Sequence, residues 1–369
     1  MISISSYKFP LLIIAIAISS FQSTPQKVNE ITLQDEPLSF IPKEFYVADV
    51  IDERADRSVI ALLLSGGDLK GGPPKIQPVD LKGGGGAAVK KFIIHNLQRN
   101  TTLRPIVIKL KTFKAIESVL QGNKIEGQIS LSMSFYLERG SEEEMVYLSD
   151  YIGNADYTRN GGHPYDIEPT LRNLLKDGLQ KINTWMNKQA ATDIRLAKGV
   201  KVSFTDYEEK SEGDSIYYNV KRPLAWSDFQ SKIPNSRYEA EVFPSFGYDE
   251  RTSIANAIIN LNLIIKVCLP KSASWAKEGS RSAYTLNHEQ RHFDIVKIVA
   301  EHFKQKLRTE NLSTTNYDGP INEDYLDAYR EMNNLQKQYD DETHHGTDEY
   351  MQQKWNERID KGLREIGVK

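Results

Sequence analysis

Residues 282–308 contain neither glycine nor proline, and within them His288, Glu289, Gln290, Arg291 and His292 form an H-E-x-x-H pattern. A stretch with no helix breaker predicts one long helix. Positions i and i+4 of a helix share a face, so the two imidazoles can grip one metal ion together. Glu289 sits one step around the helix. Ile295, Val296, Val299, Phe303 and Leu307 continue the histidine face, so the metal face is predicted to be the buried face as well. The chain has only seven histidines, which gives their spacing weight.

This spacing is that of a zinc hydrolase, usually a peptidase. His288 and His292 are the expected Zn2+ ligands. Glu289 is the expected general base, within reach of a water on the metal. A catalytic zinc needs a third protein ligand and leaves its fourth position to water. An extended motif with glycine at 295 and histidine at 298 is excluded, because both positions are isoleucine. His302 lies about 15 Å of helical rise beyond His292 and points off its stripe. Downstream, Glu310, Glu323 and Glu342 are available, and Tyr339 to Gly346 gathers acids and two histidines, His344 and His345, at a predicted helix end. The spacing leaves the choice among them open. Asp294 is a candidate acceptor for a ligand imidazole. Tyr339 and His344 are candidate oxyanion donors.

The fold class expected is α+β, in two parts. Residues 43–190 are expected to form a small α+β accessory domain, a strand meander with two helices. Strands are predicted at Phe45 to Ile51, Val59 to Leu64, Pro105 to Phe113 and Met145 to Ile152. Ile129, Leu131, Met133, Phe135 and Leu137 alternate without a fault, the mark of a strand with one buried face. Helices are predicted at Ala87 to Leu97 and along Leu171, Leu174, Leu175, Leu179, Ile182 and Trp185. Gly66 to Gly86 reads as loop, and its Gly83-Gly84-Gly85-Gly86 run fits no phosphate-binding pattern. Residues 191–205 are expected to be a linker. Residues 206–369 are expected to be mostly helical with a short sheet, including strands at Ile216 to Val220 and Ile258 to Val267. The backbone near Leu263 is expected to offer an edge to an extended peptide. Two helices follow the motif helix, one from about Glu323 and one capped by Thr347.

Composition is that of a soluble globular protein, with 26% charged residues and a net charge of −3, so nothing points to nucleic acid. Residues 1–23 have the shape of a secretory signal, with Lys8 before the apolar run Phe9 to Ile18. Residues 24–42 are expected to be extended. The sole cysteine, Cys268, excludes an intrachain disulfide and a lipid anchor after the signal. A secreted or periplasmic location follows, with no stable membrane span after signal removal.

Three segments together resemble a known family. They are Arg222-Pro223-Leu224-Ala225-Trp226-Ser227-Asp228-Phe229, then His288-Glu289-Gln290-Arg291-His292-Phe293-Asp294, then Tyr339-Asp340-x-Glu342-Thr343-x-His345-Gly346 with Gln352, Gln353 and Trp355 behind. The family is that of predicted secreted bacterial zinc-dependent proteases, long catalogued as a domain of unknown function. The resemblance covers about residues 200–365 and implies a zincin-like peptidase domain acting on a peptide or protein substrate. It favours His345 as the third zinc ligand over Asp340, Glu342 and His344. The rival expectations are a catalytically silent envelope interaction protein with a structural metal site, and a zinc hydrolase of a non-peptide amide bond.

Overall fold

The faultless alternation of residues 129–137 produces a strand with one buried face. In the computed structural model Ile125, Ile129, Leu131, Met133 and Phe135 are all fully buried. The structure describes residues 28–65, 75–122, 124–139, 145–161, 163, 165–208 and 213–368. The expected signal segment lies outside them. Among the described residues no helix is long and apolar enough to cross a membrane. The chain is a mixture of sheets and helices, consistent with α+β, and divides into two compact units, residues 1–186 and 187–369.

The first unit holds β1 (Asn29–Ile31), β2 (Phe45–Asp52), β3 (Ala61–Leu64), β4 (Ile76–Leu81), α1 (Gly85–Asn96), β5 (Arg104–Leu120), β6 (Lys124–Leu137), β7 (Val146–Asn160) and α2 (Glu168–Gln189). Its seven strands run in the order β1-β4-β3-β5-β6-β7, and β2 pairs parallel with the first part of β5. β4 corrects the expectation of loop through residue 86. Its Pro78 tolerates a strand near a sheet margin, and its Val79 and Leu81 are buried. The amphipathic spacing in α2 buries Leu171, Leu175, Leu179 and Ile182. Gly178 brings this helix onto the sheet, since a Cβ there would lie 2.1 Å from the Met133 Cε.

The second unit holds β8 (Gly199–Asp206), β9 (Ser215–Tyr217), β10 (Ala240–Glu241), β11 (Ser245–Ala255), β12 (Ile258–Pro270), β13 (Trp275–Ala276), α3 (Ala283–Thr309), α4 (Asp318–Thr343) and α5 (Glu349–Glu365). Two expectations need correction here. The stretch read as linker contains β8, whose Gly199–Asp206 pairs parallel with Ile258–Ile265. β12 is therefore interior: Leu263 pairs with Phe204 on one side and Glu250 on the other, so it has no free edge for a substrate peptide. The short polar look of 191–205 misled because alternate residues of β8 face solvent, and only Val200, Val202 and Phe204 pack inward.

α3 is the spine of this unit. Phe293, Val296, Val299, Ala300, Phe303 and Leu307 pack on Leu261, Leu263, Ile265 and Val267 of β12. Its other side carries Ile295 against Tyr339, Trp355, Ile359 and Leu363 of α4 and α5. Ser282 caps its start by accepting from the Thr285 N–H. At α5 the cap is Asp348 rather than Thr347; its carboxylate accepts from Tyr350 and Met351. Aspartate also suits the positive end of the helix dipole.

Candidate metal centre

With α3 sandwiched between sheet and helices, its motif face is enclosed. His288 is 5%, Glu289 2% and His292 7% exposed. Asp340, near the end of α4, meets both imidazoles: its Oδ1 lies 3.4 Å from His288 Nε2 and 3.1 Å from His292 Nε2. Ligand atoms of these three residues all lie within 4.8 Å of one another, a group able to hold a metal ion. Tetrahedral ligands at about 2.0–2.2 Å from one zinc stand roughly 3.4 Å apart, so the donor spacing fits such an ion. The cleft around them has a volume of about 490 Å³.

His345, the expected third ligand, lies beside this group rather than in it. Its Nδ1 is 3.5 Å from Asp340 Oδ1, and its ring packs at a tilt against Tyr238 at 4.0 Å between centroids. Helix α4 ends in three successive left-handed residues, His344 (φ 49°), His345 (φ 55°) and Gly346 (φ 78°). Such backbone is uncommon outside glycine. The turn is held by His345 N–H donating to the Asp340 carbonyl at 2.9 Å and Asp348 N–H to that of Thr343 at 2.9 Å. His344 points outward, its side chain 73% exposed. Glu342 is turned away, accepting from Trp355 Nε1 at 2.8 Å.

The buried surroundings set the charges. Burial pushes the Glu289 carboxyl above its usual range, and the nearby imidazoles of His292 and His288 offset this only in part. Burial would raise Asp340 as well, but hydrogen bonds from His288 and His292 hold its carboxyl well below the usual carboxylate range. Burial opposes the charged form of His292, and the Asp340 carboxylate outweighs it, so that imidazole is raised. Glu289 Oε2 and His292 Nδ1 are buried without a hydrogen-bond partner. An unpartnered buried carboxylate oxygen beside converging imidazoles is what a water on a metal would satisfy.

Other residues hold the site in place. Tyr339, fully buried, stacks on the His288 ring at 4.8 Å and donates its hydroxyl to the His288 carbonyl at 3.2 Å. That hydroxyl is thus committed, and Tyr339 is not a free oxyanion donor. Asp294 accepts from Tyr218, Gln290 and Arg291, each at 2.9 Å, so its carboxylate serves the helix anchor rather than a ligand imidazole. The two variable motif residues are anchors too. Gln290 accepts from the Leu224 N–H at 2.8 Å, and Arg291 reaches Asn356 and Asp360 on α5. Arg222 pairs bidentately with Asp228, closing the loop that Gln290 holds.

The partner of His288 is Gln352, whose Oε1 lies 2.8 Å from Nδ1. Its signal in the sequence was a polar residue on the buried stripe Gln352, Trp355, Ile359 and Leu363 of α5. A polar side chain on such a stripe has a hydrogen-bonding task.

Residues 236–346 match the family model described as a bacterial protein of unknown function, DUF922. The matched segment carries His288, Glu289, His292, Asp340 and His345, whereas Gln352 lies beyond it. No curated protein matches the chain. Among solved structures, protein XCC0632 from Xanthomonas campestris, of the DUF330 family, is similar at 9% identity. That likeness covers 44% of this chain and 99% of that one, with a TM-score of 0.30. A second, described only as an uncharacterized protein, has 6% identity, the same coverage and a TM-score of 0.23.

Proposed function

We propose that the chain is a secreted or periplasmic zinc peptidase with a zincin-like second unit and Glu289 as its general base. One observation carries the reading: two imidazoles of an H-E-x-x-H helix and the Asp340 carboxylate converge in a cleft that also holds a buried, unpartnered oxygen of Glu289.

In this reading His288 and His292 bind Zn2+ through Nε2 and Asp340 through Oδ1. Bound zinc supplies Lewis acidity toward a water and toward the scissile carbonyl. Glu289 accepts the proton of the attacking water at Oε2 and delivers it to the leaving amine nitrogen. Burial, by raising its carboxyl, lets it keep that proton between the two events. Tyr339 and Gln352 hold the His288 ring. The cleft, lined by Tyr238, Glu241, Tyr284 and Asn333 among others, receives the peptide.

The test compares wild type with Glu289→Gln for zinc content and for hydrolysis of an unstructured protein substrate. About one zinc per chain is expected in both, with turnover falling about 10²–10⁴-fold in the variant. Absence of zinc from wild type, or wild-type turnover in Glu289→Gln, overturns the proposal. Zinc without any hydrolysis would favour the silent metal protein.

A further inference from the structure

We infer that Gln352 is a positioning residue that fixes the tautomer of His288, through hydrogen bonds whose directions are forced. The tautomer assignment stands on the hydrogen bonds alone; its consequence for a metal rests on the function proposed above.

The main-chain oxygen of His288 can only accept, so the Tyr339 hydroxyl 3.2 Å away spends its one hydrogen there. That hydroxyl must then accept from Gln352, so the Gln352 atom facing it at 2.7 Å is the amide nitrogen. The Arg291 guanidinium, likewise, can only donate. The Asn356 atom 3.0 Å from Arg291 Nε is therefore its carbonyl oxygen. The Gln352 atom 3.1 Å from that oxygen must again be the amide nitrogen. Tyr339 and Asn356 thus turn the Gln352 amide the same way, with Oε1 toward His288 at 2.8 Å.

An amide oxygen accepts and does not donate, so His288 donates from Nδ1. Nε2, the nitrogen that faces Asp340, is then the one left to bind a metal. Gln352 is 1% exposed and Tyr339 fully buried, so bulk water has little access to replace either partner. Tyr339 stacks on one side of the ring, which leaves His288 little freedom to turn. The His288 ring is thus oriented with Nε2 toward the metal position before any metal arrives, and α5 is part of the site although it touches no ligand atom of the metal.

The test uses the metal-free mature protein with ¹⁵N-labelled histidine. Long-range ¹H–¹⁵N correlation spectra distinguish a protonated ring nitrogen from a bare one. Wild-type His288 is expected to show a protonated Nδ1. Gln352→Leu is expected to lose that signature and to bind zinc about 10–100-fold more weakly. Gln352→Glu, which keeps an acceptor, is expected to retain the signature and most of the affinity. A bare Nδ1 in wild type, or unchanged zinc affinity in Gln352→Leu, overturns the inference. Should Gln352→Leu not fold, the wild-type spectrum alone decides. A protein that shows the Nδ1–H tautomer yet binds no zinc would sink the metal reading and leave the tautomer assignment standing.

Discussion

The Cα of Gly346 packs against the imidazole of His288: a Cβ built there would stand 3.0 Å from Cγ and 3.1 Å from Nδ1 of that ring. Gly346 also has φ +78°, so two separate constraints demand glycine. The ring cannot yield easily, being held by Gln352 and stacked on Tyr339. Gly346→Ala is therefore expected to destabilise the second unit by about 1–3 kcal/mol through the left-handed backbone alone. It should also weaken zinc binding, because the side chain that must shift belongs to a proposed ligand. Denaturant unfolding and zinc titration of the variant check both effects. Wild-type affinity would show that the ring tolerates displacement.

The third ligand can be decided by two substitutions. Asp340 lies within reach of both motif imidazoles, whereas His345 reaches only Asp340. Asp340→Ala is expected to abolish stoichiometric zinc binding at micromolar zinc. His345→Ala is expected to retain about one zinc per chain. Metal analysis after gel filtration reads the result directly, and the reverse pattern would restore His345 as the ligand.

How far the sequence could be read is itself physical. The motif helix was legible because an i, i+4 histidine pair, a breaker-free stretch and an apolar stripe all specify the same element, and α3 spans Ala283–Thr309. β6 was legible because strict alternation admits one periodicity. The third ligand was not, since Asp340 through His345 all lie at one helix end, and only the left-handed turn after Thr343 decides which side chain swings toward α3. β8 and the interior place of β12 escaped because strand pairing between residues about sixty positions apart leaves no local pattern. Gln352 left a faint trace as the polar member of an apolar stripe.

The strand that replaced the expected linker ends at a charge cluster in which the two lysines are buried and Asp206 is partly open to solvent. Asp206 closes β8 and accepts from Lys304 at 2.6 Å and pairs with Lys297 at 3.1 Å; both lysines also bind Glu301 of α3. Asp206→Ala would leave two buried lysines sharing one carboxylate. Breaking a buried pair costs about 3–5 kcal/mol; the remaining Glu301 and the solvent that reaches Asp206, 38% exposed, reduce this to roughly 1–2 kcal/mol. The variant's midpoint in urea should fall accordingly. An unchanged midpoint would mean that β8 is held by its backbone pairing alone.

A pH-dependent contribution is expected from the first unit. Glu117, near the end of β5, is buried with Arg159 of β7, their side chains 1% and 6% exposed. The carboxylate accepts from Arg159 Nε and NH2, from the Tyr157 hydroxyl and from the Leu64 N–H, each at 2.7 Å. Burial alone would raise this carboxyl, but these donors outweigh it and hold it below the usual value. A carboxyl lowered in the folded state binds its proton more readily when unfolded, so folding is favoured while the group is ionised. The contribution is complete above the unfolded value of about 4.3 and is lost as pH falls through the lower folded value. Glu117→Gln removes the charge but keeps the shape, and is expected to cost about 3–5 kcal/mol at pH 7. The gap between variant and wild type should narrow as pH drops below about 4, where the unfolded wild-type carboxyl takes up its proton. Urea unfolding of both proteins from pH 7 to pH 3 measures this, and a gap that stays constant across the range would show that the pair contributes packing rather than charge.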